Sequence, residues 1–376
     1  MKRLLLLLSL AALFLNACGT TTIVQDPAIP APVAEASPLP TDMPPTEVIP
    51  PSGEARILTV MTHDSFSATE GVIREFEQAN NVKITFLKSG DAGAALNKAI
   101  LSKDAPLADV FYGVDNTFLS RALDAGIFDA YASPMAKNIS DEFKLDLKNR
   151  ALPVDYGDVC INYSKAFFAK NGLTVPASLD DLLKPEYNGM LVVENPATSS
   201  PGMAFLLATI QRYGDPGYLD FWRALRANGV VVVDGWETAY YTNFSASSGA
   251  GPQPMVVSYA SSPAAEVVFS STPLDDSPTG SINTPGTCFR QVEFVGILAG
   301  TKNRDLAEKF IDFMLDTPFQ EGMPLSMFVY PVNGQAVMPD VFSRFAQPAD
   351  QPAINPFNLD TSRDTWIDAW TQAVLR

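Results

Sequence analysis

Side chains that could grip a small molecule recur where apolar, strand-like runs stop. His63-Asp64-Ser65-Phe66 follows residues 57–62, and Asp115-Asn116 follows residues 108–114. Asn195-Pro196-Ala197-Thr198-Ser199-Ser200-Pro201-Gly202 follows residues 190–194. Asp234-Gly235-Trp236-Glu237-Thr238-Ala239-Tyr240-Tyr241 follows residues 230–233. Tyr259 closes residues 254–259, ahead of Ala260-Ser261-Ser262-Pro263. Ligands of α/β sheets bind beyond the carboxyl ends of strands. One polar loop at such an end means little, but their recurrence argues for a binding cleft.

The residue types suggest what these ends could hold. In Ser199-Ser200-Pro201, a serine N-cap with proline at the first helical position leaves backbone N–H groups at a positive helix end. Such an end suits an anion, although the pattern also serves simple capping. Trp236 and Tyr240 stand four apart and share one helix face. They suit either a core or a stack on a flat, cationic ligand. His63 is the lone histidine of the chain, either a ligand contact or a polar rim residue. Tyr240 and Tyr241 would point about 100° apart on a helix. One then faces the cleft and the other the core, unless both ligate a ferric ion.

Reaction chemistry is not indicated. The chain has no G-x-S-x-G, no G-x-x-x-x-G-K-[ST] and no H-E-x-x-H. Carboxylates are numerous, and none is singled out as half of an acid pair. One histidine and three cysteines without ligand spacing make a zinc site improbable. No catalytic residue, resident metal or cofactor is therefore expected.

Charge and leader narrow the class further. The formal net charge is −16 over 376 residues. That excludes nucleic acid and anionic lipid as partners of the folded body. It is compatible with a cationic small ligand, although a negative surface more often serves plain solubility. Lys2 and Arg3 precede an apolar run, residues 4–15, that ends at Asn16-Ala17-Cys18-Gly19. A positive start, a short apolar core and a small residue at the cut form a secretory signal over residues 1–17. The cysteine at the cut makes it resemble a bacterial lipoprotein signal, with Cys18 lipidated and holding the chain to a membrane. Residues 18–54 are rich in Pro, Ala, Thr and Val and read as an extended tether. Lipidation of Cys18 leaves Cys160 and Cys288, which an oxidising compartment favours pairing.

Beyond the tether, roughly 320 residues remain, enough for two medium domains. Strand-like residues 57–62, 82–87 and 108–114 alternate with helical residues 70 onward, 92–102 and a segment ending at Gly126. Ser67-Ala68-Thr69-Glu70 reads as a capping box for the first helix. This order implies an α/β fold with a mostly parallel sheet. A second series has strands at 159–163, 190–194, 230–233 and 254–259, and helices at 202–213, 218–227 and 236–244. A strand at 291–298 and an amphipathic helix at 305–315 follow, while 270–287 reads as a loop. Two α/β series suggest two lobes with a cleft between them.

At these residues the chain resembles the thiamine-binding proteins of ABC importers, a branch of the two-lobed (type II) periplasmic binding proteins. The matching stretches are Thr62-His63-Asp64-Ser65-Phe66, Ala108-Asp109-Val110 with Val114-Asp115-Asn116, and Asp155-Tyr156-Gly157. Pro196 to Gly202, Gly235 to Tyr240, Ser258 to Pro263 and Tyr330-Pro331-Val332 complete the set. The resemblance implies an α/β, two-lobed fold with the ligand cleft between lobes, and transport by lobe closure rather than catalysis. It places Asp64, Ser65, Asp115, Ser199, Trp236 and Tyr259 in the cleft, with His63, Asn116, Ser200, Gly202, Tyr240 and Phe328 beside them. The implied ligand is thiamine, with its phosphate esters possible at the Ser199–Ser200 helix start. The implied partners are an ABC permease with its cytoplasmic ATPase, and the chain is expected to act as a monomer.

His63, Ala265 and Phe328 stand where better-known members carry Tyr, Tyr and Trp, which favours free thiamine over the esters. The resemblance also puts Cys160 and Cys288 on the two crossings between lobes and implies a disulfide there. Lobe 1 is expected over 55–155 and 290–328, and lobe 2 over 156–289 and 329–376. Two other readings stay open. One is a ferric-ion or other small-ligand importer component using Tyr240, Tyr241 and His63. The other is a secreted thiamine-degrading or phosphate-ester-hydrolysing enzyme.

Overall fold

A computed structural model describes residues 54–246, 251–350, 352 and 359–376. The leader, Cys18 and all of the tether except Glu54 lie outside the described residues.

The first α/β series runs β1 (Arg56–Thr62), α1 (Glu70–Asn80), β2 (Val82–Lys88), α2 (Ala92–Leu101), β3 (Val110–Asp115), α3 (Leu119–Ala125) and a short β4 (Phe128–Asp129). β1 pairs in parallel with β2 and with β3. α1 starts at Glu70 with Thr69 before it, and no side chain caps it. The expected capping box does not form, because the backbone N–H of Ser67 turns instead to Met327 Sδ. Leu101, the last residue of α2, is 88 % exposed.

The second series is β5 (Leu152–Ser164), α4 (Lys165–Asn171), β6 (Leu191–Glu194), α5 (Ser200–Tyr213), α6 (Gly217–Ala227), β7 (Val231–Val233), β8 (Met255–Tyr259), α7 (Ser262–Val268) and β9 (Thr279–Ile282). β6 pairs in parallel with β7 and β8. The stretch 270–287, expected as a loop, contains β9, which pairs antiparallel with β5. The helix expected at 236–244 is present over 236–243, α-helical at Trp236-Glu237 and π-helical over Thr238–Asn243.

The chain then returns through β10 (Phe289–Leu298), α8 (Arg304–Leu315), α9 (Thr317–Ser326), β11 (Tyr330–Pro331), α10 (Asp340–Phe345) and α11 (Leu359–Val374). The sheet order is β2-β1-β3-β10-β5-β8-β6-β7. Two parallel blocks are thus joined through β10 and β5, which lie antiparallel to each other and to the blocks beside them. This corrects the expectation of a mostly parallel sheet. The segments that cross from one block to the other run against their neighbours, and no local pattern marks that direction.

Burial follows the same division. Phe76 of α1 packs on Phe310 and Phe313 of α8, with centroids 5.4 and 4.7 Å apart. Trp222 of α6 meets Trp370 of α11 edge-on at 5.4 Å. Arg363 of α11 lies 4.2 Å from the Phe118 ring centroid, so the last helix touches both blocks. Cys160 and Cys288 form a disulfide. They continue the β5–β10 register by one step beyond Val159 and Phe289, which is why two residues 128 apart in sequence meet.

Candidate ligand-binding cleft

The cleft lies over the crossing strands, as a cavity of about 300 Å³, the lower end of the range for small-molecule sites. His63, Asp64 and Ser65, beyond the end of β1, line one wall. His63 is 8 % exposed and its ring packs against Gly113 of β3. Only glycine permits this, because a Cβ at Gly113 would sit 2.4 Å from His63 Cδ2. Asp64 Oδ1 accepts the Gly90 N–H at 2.8 Å, so its carboxylate also ties the ends of β1 and β2 together.

The floor comes from β10. Gln291 and Glu293 face the cavity. Glu293 Oε1 lies 3.4 Å from His63 Nε2. Behind it, the Tyr112 hydroxyl donates to Asp155 Oδ2 at 2.6 Å and sits 3.1 Å from Glu293 Oε2. Burial pushes Asp155 well above the usual carboxylate range, and the nearby Glu293 charge adds to this. Burial also opposes ionisation of Glu293, yet His63 and its hydrogen bonds outweigh burial and hold it below the usual range. The two carboxylates therefore titrate as a pair.

The opposite wall is aromatic. Trp236 stacks on Tyr240 with centroids 4.9 Å apart and planes 19° apart. Trp236 Nε1 donates to Ser258 Oγ at 2.9 Å, which fixes the indole. The Tyr259 ring stands 6.5 Å from the indole, and its hydroxyl donates to Gln291 Oε1 at 3.2 Å. Phe328 lines the mouth at a positive φ of 55°, and its carbonyl accepts the Ser261 hydroxyl. A left-handed phenylalanine is strained backbone, of the kind that concentrates at ligand sites.

Of the residues anticipated for the site, His63, Asp64, Ser65, Ser200, Trp236, Tyr240, Tyr259 and Phe328 line the cavity. Asp115, Asn116, Ser199 and Gly202 do not. Asp115 Oδ1 accepts from Thr117 N, Thr117 Oγ1 and Phe118 N, bonds that brace the entry to α3. Burial pushes its carboxyl up to about 6 against those bonds and the Ser200 hydroxyl. Asn116 clamps β10, donating to the Arg290 carbonyl and accepting from Val292 N, both at 3.0 Å. A Cβ on Gly202 would lie 2.5 Å from the Glu194 carbonyl oxygen, so this glycine lets α5 approach β6. The α5 start has Ser200 as its first helical residue and proline second, and the Ser199 side chain makes no capping bond.

The Tyr240 hydroxyl donates to Glu266, and the Tyr241 ring stands at 86° to it. The two rings are aimed differently, and the buried one is already committed to a carboxylate. Cys160 and Cys288, being paired, offer no thiolate nucleophile.

Asp91 and Glu293 also line the cavity and were not among the anticipated residues. Asp91 Oδ1 caps α2 through Ala92 N at 2.7 Å, while Oδ2 accepts Trp236 N at 2.9 Å from the opposite wall. Burial raises its pKa, and those two N–H groups offset part of the rise. Asp91 was within reach of the strand-end rule, because it follows β2. Glu293 was not, because it lies in the middle of a strand.

Two parallel half-sheets, joined by antiparallel crossing strands and facing across a walled cleft, define a two-lobed, type II binding protein. The profile of the family described as bacterial extracellular solute-binding protein matches residues 105–355, and the chain belongs to that family. It is 30 % identical over 326 residues to a thiamine-binding periplasmic protein of Escherichia coli strain K12, covering 85 % of this chain and 94 % of that one. A thiamine-binding periplasmic protein of Brucella suis biovar 1 is 28 % identical, covering 87 % and 95 %. A solved periplasmic thiamin binding protein superposes with a TM-score of 0.74 at 28 % identity, covering 88 % of this chain and 99 % of that chain.

Proposed function

We propose that this extracellular solute-binding protein takes up thiamine in the cleft and delivers it to the permease of an ABC importer driven by a cytoplasmic ATPase. The observation that carries this reading is the pairing of the Trp236–Tyr240 stack with the carboxylates Asp64, Asp91 and Glu293 around one cavity. A thiazolium cation gains from aromatic faces and from negative charge together. An aminopyrimidine can donate to a carboxylate and accept from a hydroxyl or amide. The names of the relatives support the same ligand.

Free thiamine is favoured over its phosphate esters. A phosphate near Ser200 would meet the N-terminus of α5, but it would also enter a cavity lined by carboxylates. Closure is a rigid-body approach of lobe 1 (55–155 and 290–328) and lobe 2 (156–289 and 329–376), which the ligand stabilises through contacts to both. Lipidated Cys18 and the tether keep the monomer near its permease at high effective concentration. No turnover of the ligand accompanies transfer.

Isothermal titration of the purified body with thiamine, thiamine monophosphate and thiamine pyrophosphate tests this. Tight binding of thiamine and weaker binding of both esters is expected. No heat with thiamine at micromolar protein would overturn the ligand assignment.

A further inference from the structure

His63 is the only histidine in the chain, and it lines the cavity beside Glu293, which lines it too. Its Nε2 lies 3.4 Å from Glu293 Oε1 without forming a hydrogen bond. Glu293 Oε2 is already near the Tyr112 hydroxyl. Oε1 is therefore the oxygen left to balance a positive charge in the cleft. We propose that Glu293 is shared in turn by the His63 imidazolium in the empty cleft and by the ligand's positive charge in the filled one, so that uptake of the cation expels a proton to solvent. The ligand half of this exchange rests on the thiamine reading above.

The surroundings of His63 favour the exchange. From β10 it faces Glu293, from the start of α2 Asp91, and from its own loop Asp64. From β3 the Tyr112 ring lies 5.8 Å away, with Asp155 of β5 behind it. Lys88 of β2 lines the same cavity but donates to the Asp64 carbonyl at 2.6 Å. Burial disfavours the imidazolium, yet Glu293 first, then Asp91 and Asp64, outweigh burial and raise the His63 pKa above its ordinary value. A bound cation reverses this balance. It neutralises the same carboxylates and adds a like charge beside the imidazolium, so the imidazole gives up its proton. By linkage, protons compete with the ligand. Binding weakens as pH falls below the His63 midpoint, by up to about tenfold per pH unit, and levels off above it.

The test uses tag-free protein, in which one imidazole gives the only histidine resonances. Its NMR titration is followed in the empty protein, in the Glu293→Gln variant and in protein saturated with thiamine. Titration calorimetry in phosphate and in Tris counts the protons released, for the natural protein and for His63→Gln. The expected results are a lower His63 midpoint in Glu293→Gln and with thiamine, and buffer-dependent heat that His63→Gln abolishes. Thiamine binding with equal affinity across this pH range and buffer-independent heat would overturn the exchange while leaving the ligand assignment standing. If thiamine does not bind, the assignment fails instead, and the empty-protein titration judges the pair. An unmoved midpoint in Glu293→Gln overturns the pairing, and a lowered one supports it.

Discussion

Asp91 reaches across the cleft: its Oδ2 accepts the backbone N–H of Trp236 at 2.9 Å, while its Oδ1 caps its own helix through Ala92. One carboxylate thus joins the α2 end of the first block to the aromatic wall of the second. Charge-assisted bonds of this kind contribute about 1.5–3 kcal/mol. Asp91→Asn can keep the cap but turns an amide N–H towards the Trp236 N–H. Ligand affinity should fall about tenfold or more, and small-angle scattering of the ligand-free protein should show a larger radius of gyration. An unchanged affinity together with an unchanged radius would remove Asp91 from closure.

Trp236 is held by Ser258 and stacked on Tyr240. Trp236→Ala removes the aromatic face and leaves the Ser258 hydroxyl with one partner fewer. Aromatic anchors of this sort contribute about 2 kcal/mol or more to binding. A loss of about thirtyfold or more in thiamine affinity is expected by calorimetry, with little change in thermal midpoint. A large drop in the midpoint with affinity intact would make Trp236 a core residue instead.

Asp115 predicts a pH dependence of stability. Its carboxyl is pushed up to about 6 by burial, above the ordinary aspartate value near 3.9. The folded state therefore holds this proton more tightly than the unfolded state. The stabilisation is full below about pH 4 and is lost as pH rises through about 6, amounting to at most about 3 kcal/mol. Asp115→Asn keeps an acceptor for Thr117 and Phe118 and should flatten denaturant midpoints between pH 4 and 6. The same slope in both proteins would assign it to other groups.

The Cys160–Cys288 disulfide closes a long loop, the two residues being 128 apart in sequence. Chain-entropy arguments give such a cross-link about 4–5 kcal/mol. Reduction, or the double change to Ala, should lower the calorimetric midpoint by several degrees. Alkylation followed by intact mass measurement should find neither thiol free in the exported protein.

Gly202→Ala separates packing from binding at the α5 start. The new methyl would press on the Glu194 carbonyl oxygen, and overpacking of this kind costs about 1–3 kcal/mol. Thermal stability should drop while the ligand affinity of the folded fraction stays the same. Affinity lost without a drop in stability would return Gly202 to the binding site.

The sequence by itself determined the order of strands and helices, the strand ends that carry His63, Asp64, Trp236 and Tyr259, and the two cysteines left to pair. Those features are local: side-chain periodicity, turn chemistry and capping act over a few residues and can be read where they stand. The tertiary structure alone decided which polar strand-end groups face the cavity. Asp115, Asn116 and Gly202 have the right types in the right loops, yet their side chains or close contacts serve α3, β10 and β6. Glu293 carries no local sign of function. It enters the cleft because β10 crosses between the blocks antiparallel to β5, placing it opposite Asp155. Register between distant segments is settled by the packing of the whole sheet, and no short window of sequence contains it.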